Sequence, residues 1–292
     1  MCLTKDELDV YKEQGYLFLP GLFSKTEVEI MKVELPGVFA EESPRRVVEK
    51  DGGLVRSVYG LHRTNHIFDR LSRHPRLVES AMQVLGTKVY VYQFKVNAKS
   101  AFGGDVWDWH QDYIFWRQED SMPAPRVVNV AVLLDEMTEF NGPIFLIPGS
   151  HLEGTIDMVP SDSGGNNGAS SSDAYAGMPA WISNLTAALK YALSREVIER
   201  LVRENGIVAP KGPAGSVLFF DANLVHASPN NLSPFDRAVA FLTYNSVENV
   251  PPPIEKPRPD FLVDRLTTPI VPLGDDALLT CAQSRGVSTT TR

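Results

Sequence analysis

Six histidines are spread through the sequence, at positions 62, 66, 74, 110, 151 and 226, and His110 is followed two residues later by the carboxylate of Asp112. His110-Gln111-Asp112 lies in the run Trp107 to Phe115, whose aromatic and apolar content reads as a β-strand. Residues i and i+2 of a strand share a face, so an imidazole and a carboxylate would emerge side by side. A second imidazole from a distant strand would complete a set of two histidines and one carboxylate on one face of a metal ion. Such a set leaves open positions for a chelating cosubstrate and for oxygen. His226 is the natural third donor, because it follows the apolar run Val217-Leu218-Phe219-Phe220 and a short turn. Arg237 stands eleven residues further on, where the strand-like run Ala238 to Tyr244 begins. A guanidinium there suits bidentate pairing with the far carboxylate of a dicarboxylic cosubstrate. The competing readings are an ion pair that orients a core histidine and a surface arginine. His62, His66, His74 and His151 read as loop or turn residues.

The elements around these residues follow from capping, periodicity and turn chemistry. Thr4 with Glu7 and Ser24 with Glu27 have capping-box spacing and start two helices. Between them Tyr16 to Leu19 is a short strand ended by Pro20-Gly21, and a third helix runs from about Val78 to Leu85 with Gly86 as its cap. From Lys88 onward strands dominate: Val89 to Asn97, Trp107 to Phe115, Val127 to Leu134, Ile144 to Ile147, Ser216 to Phe220 and Ala238 to Tyr244. Short strands punctuated by Pro and Gly favour a barrel or jelly roll over a parallel α/β sheet. We therefore expect one domain over 1–292. Its helical part would cover about 1–87, a β core about 88–250, and a C-terminal extension about 251–292. A mobile insert is expected at about 157–180, because Ser161 to Asp173 is nearly all Ser, Gly, Asn and Asp. A helical pair should follow, Ala180 to Leu193 and Arg195 to Asn205.

Composition removes other classes. Basic residues number 28 against 36 acidic ones, a net charge of −8, which argues against a nucleic-acid partner and against docking on an anionic membrane. No apolar run approaches the length of a membrane span. The N-terminus has no signal-peptide core, and two cysteines cannot build a disulfide framework, so a reducing, cytoplasmic setting is expected.

Three stretches carry a resemblance. Gly104 to Trp116, Val127 to Glu136 and Gln93 to Lys99 are similar to the iron(II)- and 2-oxoglutarate-dependent oxygenases of the phytanoyl-CoA dioxygenase superfamily. Within it they resemble the bacterial free L-proline trans-4-hydroxylases. The resemblance implies a mainly β fold with flanking α-helices, built on a double-stranded β-helix of the cupin-like jelly-roll type. It implies iron(II) on His110, Asp112 and His226, which makes these the catalytic residues. It also implies 2-oxoglutarate clamped by Arg237 and hydrogen-bonded by Gln93 and Ser228, O2 as oxidant, and ascorbate as an activator in vitro. Related halogenases replace the ligand carboxylate by a small residue; Asp112 is retained here, which favours hydroxylation.

Parity extends the site. Gln93, Lys95, Asn97 and Lys99 share one strand face, so Lys95 and Asn97 look inward if Gln93 does. Asn129 alternates with Ala131 and Leu133 and is expected to face the cosubstrate. Past the metal strand, Arg117 is a candidate for a substrate carboxylate, and Trp116 and Tyr113 for packing on a substrate ring; core packing is the alternative for both aromatics. Asn231 and Ser233 should shape the turn that aims Arg237. The expected substrate is a small free amino acid, L-proline or an analogue such as pipecolate or a methylproline. The alternatives are a larger molecule of secondary metabolism, a non-catalytic jelly-roll binding module, and a zinc hydrolase, which has no need of Arg237.

Overall fold

A computed structural model of the chain describes residues 2–49, 52–156, 189 and 191–284. The insert expected at about 157–180 lies outside them, as does most of the helix expected over Ala180 to Leu193; residues 191–193 are not helical.

The helices of the N-terminal part are α1 (Lys5–Gln14), α2 (Lys25–Lys32), α3 (Leu35–Ala40), α4 (Leu61–Thr64), α5 (His66–Ser72) and α6 (Pro75–Leu85). Both capping boxes form, with Thr4 and Ser24 accepting from the backbone of Glu7 and Glu27. Strands β1 (Tyr16–Leu19), β2 (Arg46–Val48) and β3 (Val55–Tyr59) are interleaved with these helices. The core strands follow as β4 (Val89–Lys99), β5 (Trp107–His110), β6 (Val127–Leu133), β7 (Phe145–Leu146), β8 (Val217–Asp221), β9 (His226–Ser228) and β10 (Arg237–Ser246). Helices α7 (Asp112–Asp120), α8 (Arg195–Asn205) and α9 (Ala277–Ser284) complete the described elements.

The strands form a major sheet in the order β1-β8-β6-β10-β4-β3-β2 and a minor sheet in the order β5-β9-β7. The named pairings are antiparallel, as a jelly roll requires. Alternation sorts the major sheet into two faces. Val128, Val130 and Val132 of β6, with Phe94, Val96, Ala240 and Leu242, join the apolar core beneath α2, α5 and α6. The intervening residues Ala131, Leu133, Leu218, Phe220 and Val239 turn to the other face, together with Ile144 and Leu146 of the minor-sheet side. Polar residues interrupt that second face, and they build the site. Among the described residues no helix is long and apolar enough to cross a membrane. Cys2 is exposed and Cys281 is buried.

One expectation about an element fails where it matters. The run Trp107 to Phe115 is not a single strand: β5 ends at His110, and Asp112 opens α7 after an extended Gln111. Tyr113, Ile114, Phe115 and Trp116 are all buried, so the run shows neither a twofold nor a 3.6-residue period. A carboxylate in the first turn of a helix suits the positive end of its dipole.

Candidate active site

The minor sheet delivers both imidazoles. His110, the last residue of β5, is the cross-strand partner of His226, the first of β9, and the ring centres lie 4.2 Å apart. Asp112 enters from α7, with its carboxylate oxygens 3.6 Å from Nε2 of His110 and 3.6 Å from Nε2 of His226. One donor atom of each residue lies within 4.8 Å of the others. Backbone carbonyls decide which ring nitrogen is free. His110 Nδ1 donates to Asp108 O at 2.6 Å, and His226 Nδ1 donates to Leu224 O at 2.9 Å. With the proton on Nδ1, each Nε2 carries a lone pair toward a carboxylate. Electron pairs facing one another in this way call for a cation between them. Two imidazole nitrogens and one carboxylate oxygen suit iron(II).

Asn129 on β6 orients the carboxylate. Its amide nitrogen donates to Asp112 Oδ2 at 2.8 Å, and its amide oxygen accepts from Thr243 Oγ1 at 2.9 Å. Burial alone would raise the Asp112 carboxyl, but the His226 and His110 rings, with Lys95, outweigh it and hold the group well below the usual carboxylate range. Burial, and next the neighbouring His110 ring, push His226 down to about 4. It is therefore neutral at pH 7 and able to ligate.

Arg237 opens β10 and is 2% exposed. Its guanidinium donates to neutral oxygens: from Nε to Asn141 O at 3.3 Å, and from Nη2 to Gly142 O and to Ser228 Oγ, the last at 3.4 Å. Burial lowers its pKa to about 10, which leaves it charged at pH 7. A buried guanidinium whose described hydrogen bonds include no carboxylate is a receptor for an anion.

These groups open on one cavity, also lined by Gln93, Lys95, Lys99, Trp107, Trp116 and Phe241. Lys95 Nζ stands 5.4 Å from the ring centres of Trp107 and Phe241 and 6.0 Å from that of Tyr59. Among the described residues it makes no ion pair within 4.0 Å. Trp107 is itself braced by the Arg56 guanidinium, 3.8 Å above its ring, which Glu49 holds at 3.1 Å.

Comparison with known proteins agrees with this geometry. Residues 11–239 match the model of the phytanoyl-CoA dioxygenase (PhyH) family. The chain belongs to that family. An L-proline trans-4-hydroxylase of Streptomyces griseoviridis is 39% identical over 268 residues, 92% of this chain and 95% of the relative. An ectoine dioxygenase of Bordetella bronchiseptica is 35% identical over 90% of this chain and 83% of its own length. The crystal structure of EctD from S. alaskensis with 2-oxoglutarate and 5-hydroxyectoine superposes with a TM-score of 0.74 at 31% identity, covering 90% of this chain and 84% of the other. The protein is a 2-oxoglutarate-dependent dioxygenase with iron as its metal, and its donor set fits both groups.

Most residues singled out from the sequence meet in the cavity: His110, Asp112, His226, Arg237, Gln93, Ser228, Lys95, Asn97, Trp116 and Asn129 line it. Gln93 Nε2 donates to Leu262 O at 2.8 Å, which leaves its amide oxygen for a ligand. Asn97 Oδ1 is buried without a partner. Asn231 Nδ2 donates to Lys99 O at 3.1 Å and to Phe235 O at 2.7 Å, which shapes the turn before Arg237.

Three assignments change. Asn129 donates to Asp112 Oδ2 and accepts from Thr243 Oγ1, which makes it a positioning residue for a metal ligand. Arg117 is exposed and lies outside the cavity. Tyr113 is buried away from it, donating to Met122 O at 3.2 Å. The helix explains the last two. At about 100° per residue, Trp116 falls within about 40° of Asp112 on the α7 surface, whereas Arg117 falls about 140° away and Tyr113 about 100°.

Thr243, Phe241, Trp107 and Lys99 were not assigned from the sequence. Parity from Arg237 along β10 marks 239, 241 and 243 as sharing its face, and register then sets Thr243 between Asn129 and Gln93.

Proposed function

We propose that this dioxygenase hydroxylates a small cyclic free amino acid, L-proline or a close analogue, coupled to conversion of 2-oxoglutarate to succinate and CO2. Lys95 carries the proposal. A lysine that lines the metal cavity, faces three aromatic rings and makes no described ion pair is a receptor for a substrate carboxylate. Trp107, Trp116 and Phe241 offer apolar walls for ring methylenes. The 39% identity to an L-proline trans-4-hydroxylase along nearly the whole of both chains points the same way.

Iron(II), when bound with 2-oxoglutarate, supplies the oxygen activation that hydroxylates an unactivated C–H bond. The chain's own residues do the positioning. His110, Asp112 and His226 would hold the metal. Arg237 and Ser228 hold the far carboxylate of the cosubstrate, and Lys95 fixes the amino acid, so that one ring carbon is presented. Asp112 occupies the position that a halide would need, so the product is an alcohol.

A second reading is hydroxylation of ectoine, another cyclic carboxylate, supported by the 35% identity to an ectoine dioxygenase and the match to EctD with 5-hydroxyectoine. Purified enzyme with iron(II), 2-oxoglutarate and ascorbate separates the two. We expect succinate and a gain of one oxygen with L-proline, pipecolate or a methylproline. Turnover of ectoine and none of these amino acids would replace the proposal by the second reading.

A further inference from the structure

Arg56 on β3 and Glu49, the residue after β2, are 2% and 8% exposed, so the ion pair that joins them is buried. Both partners also grip the chain that leads into β5. Arg56 Nη1 donates to Asp105 O at 3.3 Å and Nη2 donates to Val106 O at 2.9 Å, while Glu49 Oε1 accepts from Asp105 N at 3.2 Å. The next residue is Trp107, and the guanidinium carbon lies 3.8 Å from its ring centre. A planar cation at that distance is in face contact with the indole.

Trp107 is where this grip reaches the cavity. Its ring forms part of the cavity wall and lies 5.4 Å from Lys95 Nζ. Arg56 itself does not line the cavity. An indole can turn about two side-chain torsions, and a guanidinium pressed on its face and tied to Glu49, Asp105 and Val106 leaves it one position. Apolar side chains would join a hairpin to a strand at least as well as a buried ion pair does, so packing alone does not account for a charged fork here.

We propose that Arg56 is a positioning residue for the hydroxylation and acts through Trp107: held by Glu49, it fixes the indole so that the substrate ring meets a rigid wall and presents one C–H bond to the metal. This deepens the reading in which a cyclic substrate lies beside Lys95, and rests on it. With Lys95 holding the carboxylate end, the indole limits rotation of the ring about that anchor. The carbons of a small ring differ in position by about an ångström or two, and a misplacement of about 1 Å can cost about a hundredfold in rate.

The test compares KM and the yield of hydroxylated product per succinate in Arg56→Lys, Trp107→Leu and the double variant. It uses whichever of L-proline, its analogues or ectoine the parent hydroxylates, so failure of the substrate reading stays separate from failure of this proposal. Arg56→Lys keeps a charge opposite Glu49 but loses the planar fork. We expect KM to rise about tenfold and product per succinate to fall about threefold or more, with Kd values for Mn(II) and 2-oxoglutarate close to those of the parent. Trp107→Leu should show the same shifts, and the double variant little more than either alone. Should Arg56→Lys fail to fold, Arg56→Met combined with Glu49→Gln takes its place, because it strands no buried charge. Parent-like KM and product yield in the folded Arg56 variant or in Trp107→Leu would overturn the proposal. So would effects that add in the double variant, or a parallel loss of metal and 2-oxoglutarate affinity, which is what a general loosening of β5 gives.

Discussion

Replacing Asn129 by alanine tests whether the metal site depends on a brace outside its ligands. The parent amide makes two buried bonds, to Asp112 Oδ2 at 2.8 Å and from Thr243 Oγ1 at 2.9 Å. Asn129 itself is 4% exposed, so water does not substitute readily. Losing the first bond frees the Asp112 carboxylate to rotate, which for such outer partners costs about 10- to 100-fold in metal affinity. That is about 1.4 to 2.8 kcal/mol. Losing the second strands a buried hydroxyl, at about 1 to 3 kcal/mol of stability. Thr243→Val should do less, since it leaves the bond to Asp112 and removes only what holds the amide in place. The assay is Mn(II) binding by calorimetry, with thermal melting to establish that each variant folds. Because both residues act through one amide, the double variant should lose little more metal affinity than Asn129→Ala alone. A folded Asn129→Ala protein with unchanged metal affinity would refute the reasoning, as would losses that simply add in the double variant.

Three other outcomes follow from the same geometry. Arg237→Met should weaken 2-oxoglutarate on the order of a hundredfold or more, because the distal carboxylate loses its buried cation, while metal binding stays close to that of the parent; equal 2-oxoglutarate affinity in both proteins would remove Arg237 from the clamp. Lys95→Met should raise KM for the amino acid by about tenfold or more and leave the Kd of 2-oxoglutarate nearly unchanged; steady-state kinetics with an unchanged KM would exclude Lys95 from substrate binding. Asp264 accepts from His62 Nε2 at 2.6 Å and from Arg63 Nε at 2.6 Å and Nη2 at 2.7 Å. Burial raises this carboxyl, but the His62 and Arg63 hydrogen bonds outweigh it and bring it to about 2. A depressed carboxyl stabilises the fold above its unfolded pKa of about 3.9, and that contribution fades as pH falls toward 2. Urea denaturation from pH 5 to pH 2 should therefore show a shallower loss in Asp264→Asn than in the parent, and identical slopes would contradict it.

The metal donors were legible in the sequence because their chemistry is specific. A histidine and a carboxylate two positions apart, a distant histidine after an apolar strand and an arginine eleven residues on form a pattern independent of exact backbone path. The path itself was read wrongly at Asp112. His110 and Asp112 converge because a strand end meets a helix start, not because two strand residues share a face. Arg117 and Tyr113 were drawn into the site by their closeness along the chain, which a helix turning about 100° per residue does not preserve. The β core was legible where Val, Leu, Phe and Tyr cluster, as in β4, β6 and β10. Strands β2, β3 and β9 are short, and they exist because neighbouring strands offer them a register. Thr243 and Lys99 acquire meaning only through that register, beside Asn129 and Arg237, which is tertiary information.

The most direct test of the account is a crystal structure with Mn(II), 2-oxoglutarate and L-proline grown without oxygen turnover. It should show the metal on Nε2 of His110, Nε2 of His226 and a carboxylate oxygen of Asp112. The distal carboxylate of 2-oxoglutarate should lie on Arg237 and the proline carboxylate at Lys95. Metal bound elsewhere, or an Arg237 fork that still faces only the carbonyls of Asn141 and Gly142 with 2-oxoglutarate present, would contradict it.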